Sequence, residues 1–225
     1  MELKINDIMS LLKKSEKEIV QLIKDGRIPH YRINGQYQFN KAEISDWVLS
    51  NNIPMSGEVI SLFRSGHQVN LSQLLEVGGI HANIEGGNLS KTLRHAVSKL
   101  VLPTDITQDE LLAHLLAREH LKPTAIGRGI AIPHPRTPII TDPENEMVAI
   151  CYLNSPVEYE AFDREPVNTL FIPISATPRR HLEILAKISR LCQEEDFIGL
   201  LKSQTPSEPL LDYISRCESQ WERRV

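Results

Sequence analysis

The stretch Thr124-Ala-Ile-Gly-Arg-Gly-Ile-Ala-Ile-Pro-His-Pro-Arg136 decides how the larger part of this chain folds. Two glycines flank Arg128, so the backbone can turn tightly there and come close to another group. The next residues, Ile130–Ile132, predict a short strand, and a proline on each side of His134 then restricts the backbone. The pattern indicates a histidine held in a defined position at the end of a strand.

On both sides of this stretch, short apolar runs alternate with longer patterns of helical period. The strand-like runs are Ile80–Ile84, Ile130–Ile132, Glu146–Leu153 and Val167–Ser175. The helical patterns are Leu89–Leu100, Gln108–Glu119, Arg180–Glu194 and Pro206–Glu218. This alternation predicts an α/β fold in which helices flank a mixed β-sheet.

The first fifty residues have a different character. Ser15 followed by Glu18 is typical of a capping box at the start of a second helix, after a first helix of apolar period. Asn34-Gly35 between two aromatic or β-branched runs is a strong signal for a β-hairpin. A third helical pattern carries Ile44, Trp47 and Val48 on one face. Together these signals predict a small winged helix-turn-helix domain.

The chain therefore divides into residues 1–50, a connector 51–78 and a larger domain 79–225. Within the connector, apolar residues at helical spacing in Glu58–Phe63 and Leu71–Val77 predict a helix or two.

Composition excludes several classes of protein. With 225 residues, 41% hydrophobic and 24% charged, and a formal charge of −4, the chain is globular and is not a basic protein that coats nucleic acid. The longest apolar run, Met147–Leu153, is far below the ~18 residues of a membrane span, and no secretory signal follows Met1. Three cysteines without a CxxC pair favour the reducing cytoplasm over a disulfide framework or a zinc site.

The N-terminal stretch INDIMSLLKKSEKEIVQLIKDGRIPHYRINGQYQFNKAEISDWV resembles the excisionase and MerR-like helix-turn-helix family. In such a fold the second helix enters the major groove and the wing touches the DNA backbone. The resemblance implies that contacts in the major groove come from Ser15, Lys17, Glu18 and Gln21. It implies that contacts with the DNA phosphates come from Lys14, Lys24, Arg27 and Arg32.

The charge of this domain leaves its use open. Residues 1–50 hold eight Lys and Arg against seven Asp and Glu, and the wing tip Asn34–Gln38 has no charge. DNA binding and a role in dimerisation or in contact with another protein therefore both remain as alternatives.

His134 is the candidate for chemistry. A neutral imidazole with a pKa near 6.5 is a good nucleophile towards phosphorus, and phosphoryl transfer needs positioning and cationic donors more than covalent help. From the residues alone, a core histidine in a proline-rich turn is an equal alternative. His114 and His120 lie six apart, which is not one helix face, and no metal or cofactor is predicted.

Over residues 79–217 the chain resembles the enzyme IIA domains of the phosphotransferase system (PTS), of the fructose, mannitol and nitrogen-regulatory type. TAIGRGIAIPHPR, LLAHLLAREHLKPTAIG and AFDREPVNTLFIPISATPRRHLEILAKISRLCQEEDF carry the match. The resemblance implies that His134 accepts a phosphoryl group from an HPr-type histidine phosphocarrier, that His181 orients and stabilises that group, and that Arg118 contacts its oxygens. Pro135-Arg136 and Arg128 depart from the family pattern and add rigidity or positive charge near His134.

Three functions follow from these features. The leading one is a cytoplasmic regulator, in which phosphorylation changes what the helix-turn-helix domain binds. The alternative is a histidine phosphotransferase intermediate that passes phosphate to a separate IIB sugar-transport component, with the N-terminal domain used to form a homodimer. A binding module that no longer accepts phosphate is the third, and the joint presence of His134, His181 and Arg118 argues against it.

Overall fold

A computed structural model describes residues 2–33, 36–40, 43, 44, 47, 69–104, 106–159, 161 and 163–222. The chain forms two compact units. One contains Met1–Gln68 with Thr141–Glu144, and the other contains Val69–Ile140 and Asn145–Val225.

The N-terminal unit begins with a strand and two helices: β1 (Glu2–Lys4), α1 (Ile5–Leu12) and α2 (Glu16–Lys24). The predicted capping box is present, because the Ser15 amide and hydroxyl both donate to the Glu18 carboxylate, at 2.9 and 2.8 Å. Two further strands follow, β2 (Tyr31–Ile33) and β3 (Gln36–Asn40). A small apolar core holds the unit together, made by Ile8, Ile19, Ile23, Ile28, Phe39 and Ile44.

The predicted wing is confirmed by the pairing of its strands. β2 and β3 are antiparallel with Arg32 opposite Tyr37, and β1 pairs with the other edge of β3. The turn Asn34-Gly35, much of the predicted third helix and the connector up to residue 68 lie outside the described residues. From the third helix, Ile44 is fully buried in the N-terminal core.

The larger unit alternates helices and strands as predicted. In chain order they are α3 (Leu71–Gly78), β4 (Ile80–Ile84), α4 (Leu89–Lys99), α5 (Gln108–Glu119), β5 (Ala125–Gly127), β6 (Ile130–Ala131), β7 (Met147–Val157), β8 (Val167–Ile174), α6 (Pro178–Leu191), α7 (Glu195–Lys202) and α8 (Ser207–Glu222). A short 3₁₀ helix, Pro143–Asn145, lies between β6 and β7.

These strands form a mixed sheet in the order β4-β7-β8-β6-β5. β4 is parallel to β7 and β6 is parallel to β8, whereas the β7–β8 and β5–β6 pairs are antiparallel. β7 lies between two neighbours and is buried on both faces, which explains the unbroken apolar run at Met147–Leu153. Its alternate residues enter two separate apolar cores, with α4 and α5 covering one face and α3, α6, α7 and α8 the other.

The sequence patterns located most of these elements within a few residues. The patterns missed β1, β5 and α7, and they ran the sixth helix on to Glu194, whereas it ends at Leu191. The second helical pattern of the connector forms α3, and its Leu71, Leu74 and Leu75 pack in the core of the larger unit. Among the described residues, no helix is long and apolar enough to cross a membrane.

Candidate active site

His134 follows the short strand β6, at the place that the Gly-rich stretch indicated. Its ring nitrogen Nδ1 lies 2.6 Å from the carbonyl oxygen of Ile132. A carbonyl can only accept, so Nδ1 carries the proton and donates it to this bond. The lone pair of the neutral ring is therefore on Nε2, and the half-buried side chain keeps one face of the site accessible.

His181 lies beside His134, as the resemblance implies. It belongs to the first turn of α6, where its amide donates to the Thr177 carbonyl at 2.9 Å. The two imidazole centroids are 4.9 Å apart with the ring planes tilted by 47°. His181 Nδ1 is 3.2 Å from the Ser175 hydroxyl, which anchors the ring from the side of β8.

Both rings are neutral near pH 7. Burial lowers the pKa of His134, the hydrogen bond to Ile132 raises it, and the positive charge of Arg118 lowers it again. Burial is also the main cause that lowers the pKa of His181 to about 4, followed by the charges of His134 and Arg118. The site therefore presents two uncharged imidazoles next to a fixed cation.

Arg118 occupies the last turn of α5. Its Nη1 donates to the Lys122 carbonyl at 2.7 Å, which fixes the guanidinium at the entry to the Gly-rich stretch. After burial, its positive charge is a further cause that lowers the pKa of both histidines. The structure thus brings together His134, His181 and Arg118, the three residues that the resemblance implies in one site.

The glycine loop between β5 and β6 is held from outside. The Arg128 amide donates to the Asp163 carboxylate at 2.7 Å, and its guanidinium binds the Cys192 carbonyl at 3.2 Å and Glu195 at 2.5 Å. At Gly127, where φ is +90°, an added Cβ would lie 2.7 Å from Asp163 Oδ2. The loop therefore needs its glycines, and Arg128 is engaged in holding the loop.

A buried carboxylate supports the loop that carries Ser175 and the start of α6. Glu146 is 1% exposed, accepts from the Ala176 amide at 2.8 Å and pairs with Arg180 at 2.5 Å. Burial raises the pKa of this carboxyl group, while the Ala176 amide and the Arg180 charge lower it. Sequence reasoning missed Glu146 because its partners lie about thirty positions away and no local pattern connects them.

An open cavity of about 270 Å³ adjoins the histidine pair. It lies between residues 135–139, which directly follow His134, and the first turn of α6. His181 and the exposed Leu182 form part of its wall. A partner molecule therefore has a concave approach to the site.

The candidate DNA contacts are on the surface of the N-terminal unit. Lys14, Ser15, Lys17, Glu18, Gln21, Lys24, Arg27 and Arg32 are all exposed. Five of them have intramolecular partners. Lys14 pairs with Glu18 at 3.4 Å, and Ser15 also donates to Glu18. Gln21 donates to Asp25 at 2.8 Å, and Arg32 lies over the Tyr37 ring at 5.9 Å.

Comparison with known proteins gives two family matches. The model described as "Phosphoenolpyruvate-dependent sugar phosphotransferase system, EIIA 2" matches residues 73–217, and a helix-turn-helix domain model matches residues 2–52. A nitrogen regulatory protein of Pseudomonas aeruginosa is 30% identical over 65% of this chain and 95% of its own length. A fructose-specific EIIABC component of the PTS from Bacillus subtilis is 28% identical over 65% of this chain and 23% of its own.

Solved structures support the fold. The nitrogen regulatory protein IIA-Ntr of Neisseria meningitidis aligns with a TM-score of 0.56 and 24% identity, over 64% of this chain and 97% of that one. A PTS IIA domain from Streptococcus pyogenes aligns with a TM-score of 0.57 and 19% identity, over 67% and 98%.

Proposed function

The chain belongs to the EIIA 2 family of the phosphoenolpyruvate-dependent sugar phosphotransferase system, and we propose that it is a regulatory phosphoprotein phosphorylated on His134. The donor would be an HPr-type histidine phosphocarrier. The phosphorylated state would change what the N-terminal helix-turn-helix domain binds, either DNA or another protein.

The observation that carries the proposal is the hydrogen bond from His134 Nδ1 to Ile132. It leaves the Nε2 lone pair free to attack phosphorus, so that a new N–P bond forms as the carrier's N–P bond breaks and the carrier imidazole keeps the electron pair. The His134 ring gains positive charge in this step. The Ile132 carbonyl, which already accepts the Nδ1 proton, then stabilises that charge.

His181 and Arg118 suit the two remaining needs of phosphoryl transfer. A neutral imidazole 4.9 Å from the nucleophile can donate one hydrogen bond to a phosphoryl oxygen from Nε2, provided that Nδ1 accepts from Ser175. The Arg118 guanidinium supplies positive charge that attracts the negatively charged oxygens of the transferred phosphoryl group. Neither residue needs to change its protonation state for the phosphoryl group to arrive.

α6 offers a route by which phosphorylation can reach the connector. The helix carries His181 in its first turn, and two and six residues later it carries Glu183 and Lys187. Glu183 accepts the Val69 amide at 3.2 Å, and Lys187 donates to the Val69 carbonyl. A small shift of α6 on phosphorylation would therefore act on the main chain of the connector at Val69.

A second candidate function is a phosphotransferase intermediate that passes the group to a IIB component, with the N-terminal domain used for dimerisation. The match to a fructose-specific EIIABC component favours it, since the matched region is 23% of that sugar-transport protein. The nearly balanced charge of residues 1–50 favours it as well.

The test is incubation with phosphoenolpyruvate, enzyme I and an HPr-type carrier, followed by intact-mass measurement. We expect a gain of about 80 Da, the mass of one phosphoryl group, which His134→Ala abolishes. His95→Gln is the matched control, because His95 also makes a backbone hydrogen bond through Nδ1, at 2.9 Å to the Glu85 amide, in the same unit. No mass change with cognate carriers would contradict both functions.

The two functions separate in a second experiment. A regulator that binds DNA shows a mobility shift that differs between the phosphorylated and unphosphorylated protein and weakens as salt rises. Lys24→Gln should then reduce the salt dependence by about one phosphate contact. A transport intermediate loses its phosphoryl group to a IIB protein and shows no such shift.

A further inference from the structure

A chain of hydrogen bonds runs from a buried carboxylate to His134. Glu119, the last residue of α5, is 4% exposed, and its carboxylate accepts both the amide of Thr124, at 3.0 Å, and the Thr124 hydroxyl. The Thr124 carbonyl accepts the Ile132 amide at 3.1 Å. The Ile132 carbonyl accepts His134 Nδ1–H at 2.6 Å.

Burying the charged Glu119 carboxylate costs free energy unless hydrogen-bond donors compensate for the lost water. Burial raises the pKa of Glu119, and the two Thr124 donors and the Arg118 charge oppose that rise. The neighbouring Arg118 donates to the Lys122 carbonyl, so the end of α5 is hydrogen-bonded to the turn 120–124 at two residues, Lys122 and Thr124. This turn leads directly into β5 and the glycine loop, and Ile132 lies two residues before the nucleophile.

We propose that Glu119 and Thr124 are positioning residues that set the tautomer and orientation of His134 through Ile132. The inference rests on the proposed function of His134 as a phosphoryl acceptor. If Thr124 moves, its carbonyl no longer fixes the Ile132 amide, and the peptide that accepts the Nδ1 proton loses its orientation. The ring then places its proton on Nε2 more often, and in that form the nucleophilic lone pair is absent.

The matched pair of variants is Glu119→Gln and Glu110→Gln. Glu110, at the other end of the same helix, accepts the amide and hydroxyl of Thr107 at 2.9 and 2.8 Å, both through Oε2, and is exposed, whereas Glu119 uses one oxygen for each Thr124 donor. Glutamine keeps the shape at both positions, but it accepts only through its carbonyl oxygen. Glu110→Gln therefore controls for loss of a carboxylate charge from this helix at a position that, among the described residues, has no hydrogen-bonded connection to His134.

The experiment is ¹⁵N NMR of the His134 ring in the full chain near neutral pH, without any carrier. We expect the Nδ1–H form in the wild type and in Glu110→Gln. In Glu119→Gln the ratio of Nδ1–H to Nε2–H should fall about fivefold, the effect of losing one ordinary hydrogen bond. Phosphoryl transfer from the carrier should slow in proportion to the fall in the Nδ1–H fraction, which is smaller than the fall in the ratio.

Thr124 provides the second pair. Thr124→Val removes the hydroxyl donor and should shift the tautomer in the same direction, whereas Thr124→Ser keeps the donor and should restore the wild-type ratio. An Nε2–H tautomer in the wild type, or an unchanged ratio in folded Glu119→Gln or Thr124→Val, would overturn the inference. If the wild type has the Nδ1–H form but takes no phosphoryl group, the proposed function fails and this inference about the ring stands apart from it.

Discussion

Lys187→Met is expected to destabilise the larger unit strongly, because it leaves a buried carboxylate without its cation. Lys187 Nζ lies 2.6 Å from Glu218 Oε1, and the two side chains are only 14% and 5% exposed. The same ammonium group also binds the Val69 carbonyl. One substitution therefore removes a buried ion pair and a main-chain hydrogen bond together.

The magnitude follows from the groups that remain. Removing one partner of a buried ion pair costs about 3–5 kcal/mol. Glu218 keeps two amide donors at the start of α3, Leu71 at 2.8 Å and Ser72 at 3.0 Å, and the N-terminal end of a helix favours negative charge. We therefore expect a loss at the low end, about 3 kcal/mol.

The assay is urea unfolding followed by far-UV circular dichroism. A loss of this size moves the midpoint of the larger unit's transition down by about 1.5 M urea. Lys202→Met, at an exposed lysine in the last turn of α7, is the control and should stay within about 0.5 kcal/mol of the wild type. In the double variant Lys187→Met/Glu218→Gln the losses should be less than additive by about 1–2 kcal/mol. A Lys187→Met protein as stable as the Lys202→Met control would show that the buried Glu218 carboxylate does not depend on Lys187.

Three further predictions concern the site itself. Gly127→Ala places a Cβ within 2.7 Å of Asp163 at a φ of +90°, and it should destabilise the larger unit by about 1–3 kcal/mol. Gly199→Ala is the control, because Gly199 lies inside α7 with open space around it, and it should stabilise by about 0.5–1 kcal/mol. Urea unfolding compares the two variants, and equal effects would contradict strain at Gly127. The pKa of His181 is about 4 in the folded chain, against an ordinary value of 6.5. Its neutral form therefore contributes stability that is complete above pH 6.5 and is lost as the pH falls through about 4. After solvent screening this contribution is about 1–2 kcal/mol. As the pH falls from 6.5 to about 4, the free energy of unfolding should therefore decrease less in His181→Gln than in the wild type. Parallel profiles of stability against pH would contradict this prediction. Arg118→Gln removes a positive charge that lowers both histidine pKa values, so NMR titration should show both rising, and phosphorylation should slow about tenfold or more; unchanged titration curves would place Arg118 outside the site.

Local chemistry explains what the sequence could predict. The capping box at Ser15 and Glu18, the hairpin around Asn34-Gly35 and the buried strand β7 all depend on residues close to one another in the chain. The same holds for His134, whose flanking prolines and strand identify its place. For His181 and Arg118 the resemblance supplied the assignment, because no spacing rule predicts that three separate segments meet.

The residues that support the site were beyond such reasoning. Asp163 binds the Arg128 amide across 35 positions, and Glu146 binds the Ala176 amide across 30. Single carboxylates at these distances have no periodic signature. Glu119 is next to Arg118 in the sequence and reads as half of an ordinary salt-bridged helix face, whereas in the structure its carboxylate is buried against Thr124. Tertiary contacts, and not local propensity, determine these roles.

Phosphorylation of His134 through Nε2 can be tested by locating the phosphoryl group within the phosphorylated protein. After transfer from an HPr-type carrier, NMR correlation of ³¹P and ¹⁵N with the ring protons identifies both the histidine and the nitrogen that bears phosphorus. The hydrogen bond from Nδ1 to Ile132 predicts a single phosphoryl group on Nε2 of His134. Phosphorus on Nδ1 of His134, or on His181, would contradict the account.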